Sequence, residues 1–142
     1  MYDTILVAID GSPCGQRALD EATALASAVH ARLEVLHVVE SGYESGFRDE
    51  LVRQGQKLLA LAKAKADELD VQCTTILDDA EDQLGDVSSA ITRTSKRVGA
   101  NLLVLGTHGR KGIDRLLMGS VAEKLARSAV TPVLLVRPDS GA

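Results

Sequence analysis

The sequence predicts an α/β fold in which helices cover both faces of a parallel sheet, a three-layer, doubly wound arrangement. Five short apolar or β-branched runs, bounded by turn residues, alternate with four segments of helical periodicity. Hydrophobic residues make up 45% of the chain but aromatic residues only 2%, so Ala, Val, Leu and Ile must form the core. Because 142 residues suffice for one core of this kind, we expect a single domain over residues 1–142.

The first half of the chain begins with a strand predicted at residues 4–9, a β-rich run that lacks polar alternation and is typical of a central strand. Ser12 and Pro13 then form a helix start, as N-cap and first helical residue. The second strand is predicted at residues 32–39. Residues 40–48 contain two glycines and two serines and are expected to form a surface loop.

A long amphipathic helix is predicted at residues 49–69, although Gly55 lies inside it. The third strand, at residues 71–77, alternates enough to suggest a sheet edge. The third helix begins either near Ala80 or at Asp86, because a glycine between them blurs its start. The fourth strand is predicted to begin at Leu102 and to end before Gly106, and the fourth helix at residues 120–128.

The fifth strand, at residues 132–137 (PVLLVR), carries a wholly apolar centre and would lie at a sheet edge. Unpaired N–H and C=O groups at an edge can pair with another chain, so we expect a homodimer through this strand. In the alternative, Pro132 and Pro138 only protect the edge from pairing. Residues 138–142 are expected to be a loose tail.

Strand order 3-2-1-4-5 would place the reversal of order between the first and fourth strands, where sheets of this type bind ligands. It would bring Asp10 beside Gly106. The loop that follows Gly106 also carries Gly109 and Gly119 before Ser120 starts a helical pattern. A glycine loop that leads into a helix N-terminus turns backbone N–H groups and the helix dipole toward an anion. We therefore expect this loop to hold nucleotide phosphates.

The spacing Gly106-x-x-Gly109, nine residues, Gly119-Ser120 resembles the nucleotide-binding signature of the ATP-binding branch of the universal stress protein family. The resemblance extends over nearly the whole chain, through further matches at Asp10, at LHV (residues 36–38) and at PVLLVRP (residues 132–138). It implies a five-stranded sheet of order 3-2-1-4-5 and a nucleotide-dependent regulatory or stress-response protein. The implied cofactor is ATP with Mg²⁺ or Mn²⁺, and the implied assembly is a homodimer that meets a regulatory partner.

The resemblance also assigns roles to residues. Asp10 would lie near the ribose or phosphates and help to hold the metal, and Val38 would border the adenine with its backbone groups. Glycines would line the ribose and phosphate path, and the start of the fourth helix would offer N–H groups and the Ser120 hydroxyl. The expected nucleotide-binding residues are Ala8, Asp10, Val38, Gly106, Gly109, Arg110, Gly119, Ser120 and Val121; Asp10 is the expected metal ligand, and no catalytic residue is assigned.

Several of these residues have simpler structural interpretations. Ser120 and Glu123 fit a capping box, so one alternative is that Ser120 caps the helix and has no ligand role. Asp10 could be a turn residue that hydrogen-bonds its own backbone. His37 is expected to be a hydrogen-bonded core histidine, and His108 a loop residue without a sequence-adjacent partner. The glycine loop carries three cationic residues, which either neutralise phosphate or are simply solvated: Arg110, Lys111 and Arg115.

Composition excludes some functions. A net charge of −4 argues against binding nucleic acid through a broad basic surface. No apolar stretch is long enough to span a bilayer, and the first residues lack the basic region of a signal peptide. Cys14 and Cys73 are expected to be free thiols, which favours a cytoplasmic location.

Two enzymatic or signalling alternatives stay open. Slow ATP hydrolysis could occur at the same site, although the chain has no Walker A pattern. A phosphoacceptor receiver domain shares the alternating architecture, but Arg137 stands where its lysine would be sought. The acidic residues 78–86 depart from the family pattern; they are expected to form a solvated loop, with phosphate repulsion or a metal ligand as alternatives.

Overall fold

The computed structural model describes residues 2–40, 45–79, 86–108 and 118–139. Strands and helices alternate throughout. In chain order they are β1 (Thr4–Ala8), α1 (Pro13–Val29), β2 (Arg32–Val38), α2 (Ser45–Glu68), β3 (Cys73–Asp78), α3 (Val87–Val98), β4 (Leu102–Gly106), α4 (Ser120–Ser128) and β5 (Val133–Val136).

The five strands form one parallel sheet of order β3-β2-β1-β4-β5, which confirms the predicted order. β1 pairs with both β2 and β4, and Ile5 lies opposite Leu33 on one side and Leu102 on the other. The order therefore reverses between β1 and β4, and β3 and β5 form the two edges.

Alternate residues of the central strands pack into two aliphatic clusters, one on each face of the sheet. Ile5 and Val7 face α1 and α2, where alanines of α1 such as Ala18 and Ala22 allow a close approach. Leu6 and Leu103 face α3 and α4 on the other side, through Ile91 and Leu125. The core of small aliphatic residues expected from the composition is confirmed.

Most predicted boundaries lie within one residue of the observed ones, and three boundaries need a physical explanation. The helix expected from residue 49 begins at Ser45, because buried Arg48 donates to the Glu40 carbonyl at 3.1 Å and forms an ion pair with Asp79. β3 begins at Cys73 rather than at residue 71, since the Val71 N–H still bonds the Ala66 carbonyl at the end of α2. The third helix starts after Asp86, which caps it.

Among the described residues, no helix is both long enough and apolar enough to cross a lipid bilayer.

Candidate functional site

The carboxyl ends of β1 and β4 lie side by side, because Val7 is directly opposite Val104 in the sheet. The segments that leave these two strands both contact the first turn of α1. A Cβ on Gly15 would lie 2.9 Å from Asp10 Oδ1, and a Cβ on Gly106 would lie 2.9 Å from Cys14 Sγ. Asp10 and Gly106 therefore both lie against the first turn of α1.

Asp10 makes the turn that leads into α1. Its Oδ1 accepts a hydrogen bond from the Ser12 N–H at 2.9 Å, and Gly11 adopts a positive φ of 85° that favours glycine. The turn interpretation of Asp10 is thus confirmed.

The N-terminus of α1 is closed by its own side chains. Ser12 caps it as predicted, with Oγ accepting from the Gly15 N–H at 3.0 Å, and Pro13 occupies the first helical position. Cys14 is buried and donates its thiol to the Val136 carbonyl at 3.2 Å. Because the Cys14 backbone also lies 3.0–3.1 Å from a Cβ at Gly106, packing alone requires glycine there.

The N-terminus of α4 is different. Its N-cap is Gly119, with extended backbone and no side-chain cap hydrogen bond, and Ser120 is the first helical residue. The capping-box interpretation of Ser120 is wrong, because Glu123 then lies one position too late to complete the box. Within the described part of the chain, the first-turn N–H groups of Ser120 to Ala122 consequently have no side-chain acceptor.

Thr107 connects the start of α4 to the sheet, and sequence reasoning missed it. Its carbonyl accepts the Gly119 N–H at 2.7 Å, and its N–H donates to the Val136 carbonyl at 2.9 Å. Its buried hydroxyl pairs with His108 Nδ1 at 2.8 Å. His108 therefore has a sequence-adjacent partner after all. A polar residue directly after a buried strand was the only available signal.

Three apolar residues of the expected site border the same cluster. Ala8, Val38 and Val121 are partly buried against the cluster that Leu6 and Leu105 form on the α3 and α4 face. They lie at the end of β1, at the end of β2 and in the first turn of α4. The expected residues Gly109 and Arg110, with Lys111 and Arg115, lie outside the described residues.

The described acids around residues 78–86 have specific partners. Asp79 pairs with Arg48. Asp86 caps α3, accepting from the Ser89 N–H at 3.0 Å, and pairs with Lys124 of α4. The Lys124 ammonium, and then hydrogen bonds from Ser88 and Ser89, hold the pKa of the Asp86 carboxyl well below its usual range. These acids join neighbouring elements, which the solvated-loop expectation did not foresee.

Metal ligands are sparse in the site. Among the described residues, no group of three or more His, Cys, Asp or Glu side chains could hold a metal ion. A single carboxylate such as Asp10 still suits Mg²⁺, which is commonly held by one or two carboxylates together with nucleotide phosphates and water. The donor set therefore fits a metal that arrives with a nucleotide.

The chain matches known proteins along nearly all of its length. The model of the "Universal stress protein family" covers residues 1–137. Universal stress protein YxiE of Bacillus subtilis is 34% identical over 153 residues, which cover 96% of this chain and all of that protein. A solved universal stress protein family member from Burkholderia pseudomallei is 35% identical, with a TM-score of 0.80 and 97% of each chain covered.

A further solved universal stress protein, in complex with cAMP, is 26% identical with a TM-score of 0.72, and the match covers 97% of this chain and 99% of that one. The sheet order agrees with these similarities. The chain belongs to the universal stress protein family.

Proposed function

We propose that this protein is a nucleotide-dependent regulatory module of the stress response that binds ATP with Mg²⁺ at the carboxyl ends of β1 and β4. One observation carries the proposal. The first turn of α4 is capped by a glycine and is held against the end of β4 by the bond from Gly119 N–H to Thr107 O. Its N–H groups and its dipole can therefore stabilise a phosphate.

The remaining site residues suit the rest of a nucleotide. Ala8 and Val38 give an apolar border for the adenine, and Asp10 lies where it can meet the ribose or a phosphate-bound Mg²⁺. Cyclic AMP in a relative of 26% identity supports the choice of an adenine nucleotide. Family membership favours this function over that of a phosphoacceptor receiver.

We further propose that the protein is a homodimer paired through β5, in the cytoplasm. β5 is an edge strand of the sheet, and Leu134 is 38% exposed on it. Val130, just before β5, is 95% exposed. A second copy of this strand would cover these apolar groups and satisfy the edge hydrogen bonds. A monomeric mass by light scattering at micromolar concentration would contradict the dimer.

Calorimetry with ATP and AMP, in Mg²⁺ and then in EDTA, tests the binding proposal. We expect saturable binding of adenine nucleotide, tighter with ATP and Mg²⁺, and adenine nucleotide among the small molecules released when the purified protein is denatured. Absence of both would overturn the proposal. Hydrolysis is decided in the same samples: turnover that persists after removal of contaminating ATPases and falls in Asp10→Ala would make the protein an enzyme.

A further inference from the structure

His37 makes a hydrogen bond that does not belong to the sheet. It lies near the end of β2, only 8% exposed, and its Nδ1 is 2.8 Å from the carbonyl oxygen of Ile9. A carbonyl can only accept, so the proton is on Nδ1. Ile9 follows the last residue of β1 and precedes Asp10. The imidazole therefore fixes the peptide from which Asp10 extends.

This bond replaces a rung of the ladder between β1 and β2. In a parallel pair, the N–H and C=O of one residue bond the two residues that flank its partner. The Ile9 N–H donates to the Leu36 carbonyl at 2.9 Å, so the regular continuation runs from Val38 N–H to Ile9 O. That rung is absent from the backbone bonds among the described residues. The ladder ends one bond early, and the Val38 N–H stays outside it.

Gly55 of α2 makes the arrangement of His37 possible. A Cβ at Gly55 would lie 2.5 Å from His37 Cδ2 and 3.1 Å from Nε2, and 2.8 Å from Leu77 Cδ1. The helix backbone therefore packs directly against the imidazole and holds it toward Ile9. This contact explains why a long helix keeps a glycine at its centre, where alanine is the better helix former.

We propose that His37, held in place by Gly55, is a positioning residue of the nucleotide site. It leaves the Val38 N–H available to an acceptor nitrogen of the purine, and it orients the peptide that carries Asp10. This inference rests on the proposed function, but its first test needs no nucleotide.

Amide hydrogen exchange of the nucleotide-free protein, followed by NMR, tests the missing rung. In the wild type, we expect Val38 to exchange at least about tenfold faster than Leu36, whose N–H lies within the ladder. In His37→Leu, the Ile9 carbonyl is released to Val38, and protection of the Val38 amide should rise about tenfold. His37→Asn places an amide nitrogen near the position of Nδ1, so Val38 should stay fast. A wild-type Val38 amide as protected as Leu36 overturns the proposal, whether or not the variants fold.

Calorimetry with ATP and Mg²⁺ tests the consequence for binding. His37→Leu should raise the Kd about five- to tenfold, as expected for the loss of one positioned hydrogen bond, whereas His37→Asn should stay within about threefold of the wild type. His30→Asn is the matched control, because His30 is exposed at the other end of the strands in a left-handed conformation that Asn tolerates.

The proposed function and the positioning role of His37 can be refuted separately. If the wild type binds no adenine nucleotide, the proposed function fails, while the exchange data still decide the role of His37 in the ladder. If the wild type and His37→Leu bind ATP equally well, the proposed function stands and the positioning role is refuted.

Discussion

Helices α1 and α4 follow neighbouring strands of the sheet, yet their N-termini are capped differently. At α1, Ser12 caps the helix and Asp10 binds the Ser12 N–H, so side chains of the protein occupy the donors. At α4, Gly119 supplies no side chain, and its own N–H is bonded to the Thr107 carbonyl. The donors at the start of α1 are therefore satisfied within the chain, whereas at α4, among the described residues, no side chain caps the donors of the first turn.

The first turn of α1 packs closely against Gly106 at the end of β4. Gly106→Ala should lower the free energy of unfolding by about 1–3 kcal/mol, because the new Cβ would meet the Cys14 thiol and backbone within 3.1 Å. Urea denaturation measures this change. Gly46→Ala is the matched control, since nothing lies within 4 Å of a Cβ at Gly46; its unfolding free energy should not fall. Equal behaviour of the two variants would contradict the contact.

A negative charge in the first turn of α4 should weaken ATP binding without lowering the stability of the fold. Ser120→Asp should weaken ATP binding at least about tenfold through repulsion of the phosphates, while the helix dipole stabilises the new carboxylate by up to about 1 kcal/mol. Calorimetry and urea denaturation of the same samples measure both effects. Ser120→Asn, which has the same size without the charge, should bind within about threefold of the wild type. Unchanged binding in Ser120→Asp would exclude the start of α4 as the phosphate site.

Serine-to-alanine exchange at both turns compares the caps directly. Ser12→Ala removes the acceptor of the Gly15 N–H and should lower the unfolding free energy by about 1 kcal/mol. Ser120→Ala should change it by only a few tenths of a kcal/mol, because the Ser120 side chain makes no cap bond. A large loss in Ser120→Ala, measured by urea denaturation, would restore Ser120 as a cap.

The sequence predicts most of the fold, because aliphatic runs and turn residues act locally. It predicts α4 at residues 120–128, as observed, but its capping-box pattern points to Ser120 as the cap instead of Gly119, because the bond from the Gly119 N–H to the carbonyl of Thr107, twelve residues earlier, follows no local pattern. The early start of α2 was missed for a similar reason: Arg48 is anchored by Asp79, thirty-one residues later in the chain. Contacts between residues this far apart in the chain produce no periodic pattern in the sequence.

The structural roles of two glycines also could not be predicted from the sequence. The interpretation of Gly106 as a ligand-facing residue followed from motif spacing, and its contact with Cys14 followed only from the structure. In the sequence, Gly55 is a residue unfavourable to the predicted helix, whereas in the structure it accommodates the His37 ring. Spacing predicts where a binding site would lie, whereas the packing around these glycines is seen only in the structure.

The N-terminus of α3 is a third case for comparison, and changing its cap should have the smallest effect on stability. Asp86 caps α3 with a carboxylate whose pKa is lowered chiefly by Lys124. A carboxyl whose pKa is lower in the folded chain stabilises it above the ordinary value of 3.8, and this contribution is lost as the pH falls below that value. Asp86→Asn keeps a cap but not the charge, so its unfolding free energy should lie slightly below the wild type at pH 6.

Urea denaturation across pH 6 to pH 3 checks the sign. The difference between Asp86→Asn and the wild type should shrink as the solution is acidified, and it should be small throughout because both Asp86 and Lys124 are exposed. The difference in unfolding free energy between Lys124→Met and the wild type should also shrink on acidification, but by less. A difference that grows on acidification would contradict the direction of the pKa shift.

The contrast between the two helix starts is tested most directly by NMR titration of the backbone amides with AMP and, separately, with adenosine, which differ only by the phosphate. The account predicts that AMP shifts the amide resonances of Ser120, Val121 and Ala122 and that adenosine does not, while the Gly15 amide, already bonded to Ser12, changes little with either. Phosphate-dependent shifts centred on Gly15, or none at the start of α4, would contradict it.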